Sequence, residues 1–126
     1  MVINIEHANA SLNCMALAIY AEAHTESIDA KRAVAQVIMN RFRDGHFGKD
    51  ICEVVYQRGQ FQGVYDVAEG RHKYPSQEDF LKSKLIGLDI YFHKIKAPID
   101  NNVLYFYDDS ISKHKCKHKI SSICFY

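Results

Sequence analysis

Asp29-Ala-Lys-Arg-Ala-Val-Ala-Gln-Val-Ile-Met-Asn-Arg-Phe-Arg-Asp-Gly45 is the stretch on which the fold is read. Ala33, Val34, Val37, Ile38 and Phe42 recur at the three- and four-residue spacing that lines one face of an α-helix. Asp29 is the expected N-cap. Arg41 and Arg43 put cations in the last turn, where they complement the helix dipole, and Gly45 supplies the stop.

Upstream, Leu12, Met15, Ala16 and Ile19 share helical spacing and predict a helix from about Asn9 or Ser11 to Ala23-His24. Downstream, a short helix is predicted over residues 50–57, with Ile51, Val54 and Val55 facing inward. Arg58-Gly-Gln-Phe-Gln-Gly63 reads as a turn into a short extended piece. Ser76 is the expected N-cap of a long helix reaching about Lys94, with Phe80, Leu81, Leu85, Leu88, Tyr91 and Phe92 as its apolar positions. Pro98 ends that region. Residues 103–107 and 120–126 are β-branched and aromatic enough to be strands. The class is α+β, mainly α, with a small β-hairpin. No repeat, linker or low-complexity segment interrupts it, so residues 1–126 are expected to form one domain.

Composition narrows the function. The 126 residues are 48% hydrophobic, with 16 Lys plus Arg against 15 Asp plus Glu and a net charge of +1. That balance excludes a disordered chain and argues against a dedicated nucleic-acid binder, which is usually plainly basic. The most apolar stretch, residues 14–23, contains Glu22 and is too short to span a bilayer, so no membrane insertion is expected. Met1-Val-Ile-Asn-Ile-Glu-His7 lacks a basic n-region, so no secretory signal is read and synthesis in the cytoplasm is expected. Cys14, Cys52, Cys116 and Cys124 form no CxxC pair. Free thiols are expected, with disulfides left open by the even count.

Three constellations could carry chemistry. In Tyr20-Ala-Glu-Ala-His-Thr-Glu26, Glu22 closes an apolar helix, and desolvation would raise its pKa toward that of a general acid. A solvated glutamate at an open helix end is the ordinary alternative. Glu26, four residues on, could be a second carboxylate for base or nucleophile. In Val54-Val-Tyr-Gln-Arg-Gly-Gln-Phe61, Tyr56, Gln57, Gln60 and Phe61 combine amides with aromatic faces, as a carbohydrate groove does. A turn over a core Phe61 is the plainer reading. In Ser112-Lys-His-Lys-Cys-Lys-His-Lys119, the lysines alternate with His114, Cys116 and His118. With Cys124 these could bind zinc, contact an anionic polymer, or simply form a solvated cationic edge.

Taken together, these blocks resemble the SleB-type cell wall hydrolases, which include spore-cortex-lytic enzymes and phage-encoded relatives. Leu17-Ala-Ile-Tyr-Ala-Glu-Ala-His-Thr-Glu26 is similar to that family's E-A-R-G-E segment. Ala33-Val-Ala-Gln-Val-Ile-Met-Asn-Arg41 is similar to its V-A-x-V-I-L-N-R helix, and Ile51-Cys-Glu-Val-Val-Tyr-Gln-Arg-Gly-Gln-Phe61 to its I-x-x-V-V-Y-Q-x-x-Q-F-S block. Val103-Leu-Tyr-Phe-Tyr107 resembles its A-x-Y-F strand, and Ile120-Ser-Ser-Ile-Cys-Phe-Tyr126 its closing I-G-x-H-x-F-Y. His24-Thr25 stands where the family has Arg-Gly, Gln62 where it has Ser, Ser121 where it has Gly, and Ile123 where it has His.

The resemblance implies a lysozyme-like, lytic-transglycosylase-like fold that cleaves peptidoglycan glycan strands between N-acetylmuramic acid and N-acetylglucosamine. Glu22 would be the single catalytic residue, and Glu26, Tyr56, Gln60, Phe61, Gln62 and Tyr105 would bind substrate. No metal or organic cofactor is implied. Water could instead complete the reaction, as in a muramidase, or the chain could be a non-catalytic glycan binder. The expected setting is a monomeric phage lysin or virion-borne enzyme, released at lysis to act on the bacterial wall.

Overall fold

A computed structural model describes residues 4–57, 60–108, 116 and 118–126. Its helices are α1 (Ile5–Ala23), α2 (Ile28–Asp44), α3 (Ile51–Tyr56), α4 (Gln62–Ala68) and α5 (Gln77–Tyr91). Three short strands follow: β1 (Phe106–Asp108), β2 (His118–Ile120) and β3 (Ile123–Phe125). The mainly helical α+β class is as the sequence predicts.

Short polar side chains start the helices. Asn4, Ser27, Asp50 and Ser76 each accept a hydrogen bond from the backbone N–H three residues on, at 3.0, 3.2, 2.8 and 3.1 Å. Such caps satisfy donors that a helix terminus leaves open. The cap of α2 is therefore Ser27 and not Asp29, which lies in the first turn. Gly45 ends α2 at φ 86°, a left-handed conformation that glycine adopts at little cost. The first helix begins well before Asn9, because Asn4 offers an earlier cap.

Helix α1 is the central element and packs against each of the other four helices. Met15, Ala16, Ala18 and Ile19 are completely buried. This explains why its sequence is apolar almost all round. Helix α5 turns a different face to α1 than its large apolar residues predict. Leu81 and Leu85 are 55% and 54% exposed, while Ser83, Gly87 and Ile90 are buried. Small residues let the two backbones approach: a Cβ on Gly87 would sit 3.4 Å from Ile19 Cδ1 and 3.5 Å from Met15 Cβ.

Where residues 58–63 are expected to turn into a short extended piece, the chain enters helix α4 at Gln62 instead. Phe61, Val64 and Val67 recur every three residues and are all buried, which is the helical pattern. The strands form one antiparallel sheet in the order β1-β3-β2, with Phe106 opposite Phe125 and Ile120 opposite Ile123. The predicted strand over 120–126 thus holds the last residue of β2 and all of β3, broken at the Ser121-Ser122 turn, where Ser121 takes φ 57°.

All four cysteines are paired, correcting the expectation of free thiols. Cys14–Cys52 ties α1 to α3, and Cys116–Cys124 ties residue 116 to β3. The second bridge also removes both thiolates that a zinc site in the lysine-rich segment would use. His114, Lys113, Lys115 and Lys117 lie outside the described residues.

The Cys14–Cys52 bridge closes a loop of 38 residues. Replacing both cysteines by serine should lower stability by about 2–4 kcal/mol through added freedom in the unfolded chain. Urea unfolding of the double variant, beside the parent with and without reductant, measures this. An unchanged midpoint would show that the bridge does not staple the fold.

Candidate active site

The candidate acid stands at the end of the central helix. Glu22 lies one residue from the C-terminus of α1, where the apolar core meets solvent, and is itself partly buried. The N–H of Gly63, in the first turn of α4, donates to Glu22 Oε1 at 3.0 Å. The close fit needs glycine for room. A Cβ there would lie 2.9 Å from Ala21 O and 3.0 Å from Glu22 Oε1.

Four influences act on the Glu22 carboxyl. Burial raises its pKa above the usual carboxylate value and is the largest; the Gly63 N–H opposes it; Asp66 raises it further; Arg41 lowers it. Burial wins, so the protonated form persists to higher pH than in an ordinary glutamate. That is the property a general acid needs near neutrality.

The other two carboxyls named by sequence or geometry are committed elsewhere. Glu26 accepts from the Ser122 backbone N–H at 3.1 Å and from the Ser122 hydroxyl, so it holds the β2–β3 turn against the α1–α2 loop. Asp66 accepts from Gln62 at 3.1 Å and from Arg71 at 2.9 Å, and these bonds hold its pKa below the usual range.

Arg41 forms the floor. It is 2% exposed, and its Nε donates to Leu104 O at 2.6 Å. Its guanidinium lies 4.9 Å from the Phe47 ring, 4.9 Å from Phe61 and 5.3 Å from Tyr105. Cation–π attraction inside an apolar cage offsets part of the cost of burying the charge. Burial lowers the Arg41 pKa to about 10, so the cation remains at neutral pH.

The predicted binding residues divide by exposure. Tyr56 and Tyr105 are 42% and 39% exposed and can offer ring faces. Tyr105 stacks on Tyr126 with centroids 5.4 Å apart. Gln60 is partly buried, and Gln62 is exposed. Phe61, expected to line the groove, is fully buried beneath Arg41, with its ring 5.8 Å from Phe106, so it builds the floor without reaching a ligand. Asn40 bonds the carbonyls of Asp100 and Val103, so it serves a neighbouring loop. Gln57 Oε1 is buried and lacks a partner among the described residues.

Gly63 and Asp66 are contributors that the sequence reading missed, because α4 was not recognised. The signal was present: apolar residues at 61, 64 and 67, with Gln62 and Asp66 spaced to pair along a helix.

The family model for cell wall hydrolases matches residues 25–126. It begins after Glu22, but structural similarity extends across that residue's helix. The catalytic domain of the germination-specific lytic transglycosylase SleB from Bacillus anthracis is similar with a TM-score of 0.74 and 25% identity, over 98% of each chain. The catalytic domain of the Bacillus cereus SleB protein is similar with a TM-score of 0.73 and 25% identity, over 98% of this chain and 94% of that one. No curated protein matches the sequence. With the family model covering most of its length and a partly buried glutamate at the end of its central helix, the chain belongs to the cell wall hydrolase family.

Proposed function

We propose that the chain cleaves peptidoglycan glycan strands as a lytic transglycosylase, with Glu22 as the one acid/base. The observation that carries this reading is the contrast among three carboxyls. Glu22 has a raised pKa and a single backbone donor, whereas Glu26 and Asp66 are held by protein partners. Similarity to a lytic transglycosylase domain supports the same chemistry.

Protonated Glu22 gives its proton to the oxygen linking muramyl C1 to the neighbouring glucosamine, and the C1–O bond breaks. The carboxylate left behind is stabilised by the Gly63 N–H and the field of Arg41. It then takes the proton of the muramyl 6-hydroxyl as that oxygen closes onto C1, giving a 1,6-anhydro ring and restoring the acid. Water is not consumed. Tyr56 and Tyr105 supply apolar faces for sugar rings, and Gln60 and Gln62 supply amides for hydroxyl and N-acetyl groups. Glu26 keeps the hairpin in place beside them. The two disulfides suit work outside a reducing cytoplasm.

Glu22→Gln should reduce clearing of purified peptidoglycan by roughly 10²–10⁴-fold, the usual contribution of a general acid, with the circular dichroism of the fold retained. Clearing by the parent should fall as pH rises through the raised Glu22 pKa, since the acid must begin protonated. Unchanged clearing by Glu22→Gln would remove Glu22 from the mechanism. Binding of peptidoglycan by the parent without cleavage would establish a glycan-binding module instead.

The same shift has a stability consequence. A carboxyl whose folded pKa lies above its unfolded value stabilises the fold at low pH and loses that contribution as pH rises through the folded pKa. Glu22→Gln cannot ionise, so its melting temperature should gain on the parent as pH increases. A constant difference across pH would show that burial does not govern this group.

Gly63→Ala should cost at least about tenfold in activity, because a small displacement of a catalytic group is expensive. Full activity would show that the Gly63–Glu22 contact does not position the acid.

A further inference from the structure

Beside the acid lies a groove that binding a bare glycan does not require. A cavity of about 260 Å³ is lined by Tyr20, His24, Gly63, Val67, His72 and Lys73. A second, smaller cavity of about 100 Å³ shares Tyr20 and His24 and is lined also by Lys31, Lys82 and Asp79. The shared wall is the Tyr20–His24 pair, stacked with ring centroids 4.6 Å apart. His24 Nδ1 lies 2.9 Å from Tyr20 O, which fixes the ring and leaves Nε2 for another partner. Gly63, whose N–H holds Glu22, forms the end nearest the reaction centre.

The groove is cationic. His72 is near Asp66, at 3.5 Å, and Lys82 pairs with Glu78 at 3.2 Å. Lys31 and Lys73 have no side-chain partner among the described residues. Asp79 is the one carboxylate on the lining.

We propose that this groove receives the anionic stem peptide of the muramyl residue, with His24 and Lys73 selecting stem-bearing strands. The inference rests on the glycan-strand reading above. The scissile bond leaves the muramyl ring itself, and that ring carries on its lactyl ether an amide-linked peptide with free carboxylates. A strand placed for protonation by Glu22 therefore carries its stem close to the acid. A narrow groove that starts at Gly63, has an aromatic wall and displays unpaired cations matches an extended peptide bearing carboxylates.

Two substrates test this: soluble glycan strands with their stems, and the same strands stripped of stems by an amidase. The parent should turn over stem-bearing strands roughly fivefold to tenfold more efficiently, as expected for a few partly exposed charge-assisted contacts. In Lys73→Glu and in His24→Ala with Lys73→Ala the ratio should fall toward one. Methyl esterification of the stem carboxylates should have the same effect on the parent. Equal turnover of both substrates by the parent, or a ratio that survives the substitutions, would overturn the proposal. Should the parent cleave neither substrate, the glycosidase reading fails separately. The groove is then judged by NMR titration of the Glu22→Gln protein with a tetrapeptide muropeptide and with its stem-free disaccharide. Selective binding of the muropeptide, with shifts at Tyr20, His24 and Lys73, upholds the groove; equal binding or none overturns it.

Discussion

Two adjacent polar side chains buried at the end of α2 hold the active-site side of the molecule together. Asn40 donates to the carbonyls of Asp100 and Val103 at 3.0 and 2.9 Å, and its own oxygen accepts from Gln36 at 2.8 Å. Arg41 takes the next carbonyl, that of Leu104. Residues 100–104 run into the sheet without a strand partner of their own over most of that length. Side chains of a rigid helix therefore do the work a neighbouring strand would otherwise do. Buried carbonyls left without donors cost about 1–3 kcal/mol each, so this segment has little freedom to lie elsewhere. Tyr105 follows directly and is thereby set over the Arg41 cage, and β1 begins one residue later.

The same arrangement sets the electrostatics of the acid. Arg41 is kept charged and dry by three aromatic rings, close enough to act on Glu22 but without overriding burial. The proposed reaction, which uses one carboxyl twice, needs this compromise. Too much positive charge would strip the proton before the first step, and too little support would leave the carboxylate unstable after it. Burial favours the protonated acid, while Gly63 and Arg41 favour the anion that follows. The opposing influences are delivered by three different elements, α1, α4 and α2, all meeting at the exposed end of α1.

Much of this was legible in the sequence where local rules decide structure. The periodicity of α2, its Gly45 stop and the Ser76 cap of α5 follow from helix spacing and capping, and all three recur in the structure, except that Phe42 of the predicted apolar stripe is exposed. The partial burial of Glu22 is one of two readings that its place at the end of an apolar helix leaves open. What local rules could not show depends on partners distant in the chain. Leu81 and Leu85 look like core, yet Ser83 and Gly87 are chosen because α1 needs a close approach. Phe61 looks like a ligand platform until Arg41 and Phe106 are seen packed against it and the ring is found fully buried. Gly63 gains its meaning only from Glu22, 41 residues away. The disulfides likewise join cysteines whose spacing carries no recognisable motif.

The central claim is that one carboxyl breaks the glycosidic bond and closes the ring without water. Mass spectrometry of the soluble products from purified peptidoglycan tests it most directly. The account predicts fragments ending in 1,6-anhydromuramic acid, formed by the parent and absent with Glu22→Gln. Fragments ending in reducing muramic acid, or free stem peptides released from intact glycan, would contradict it.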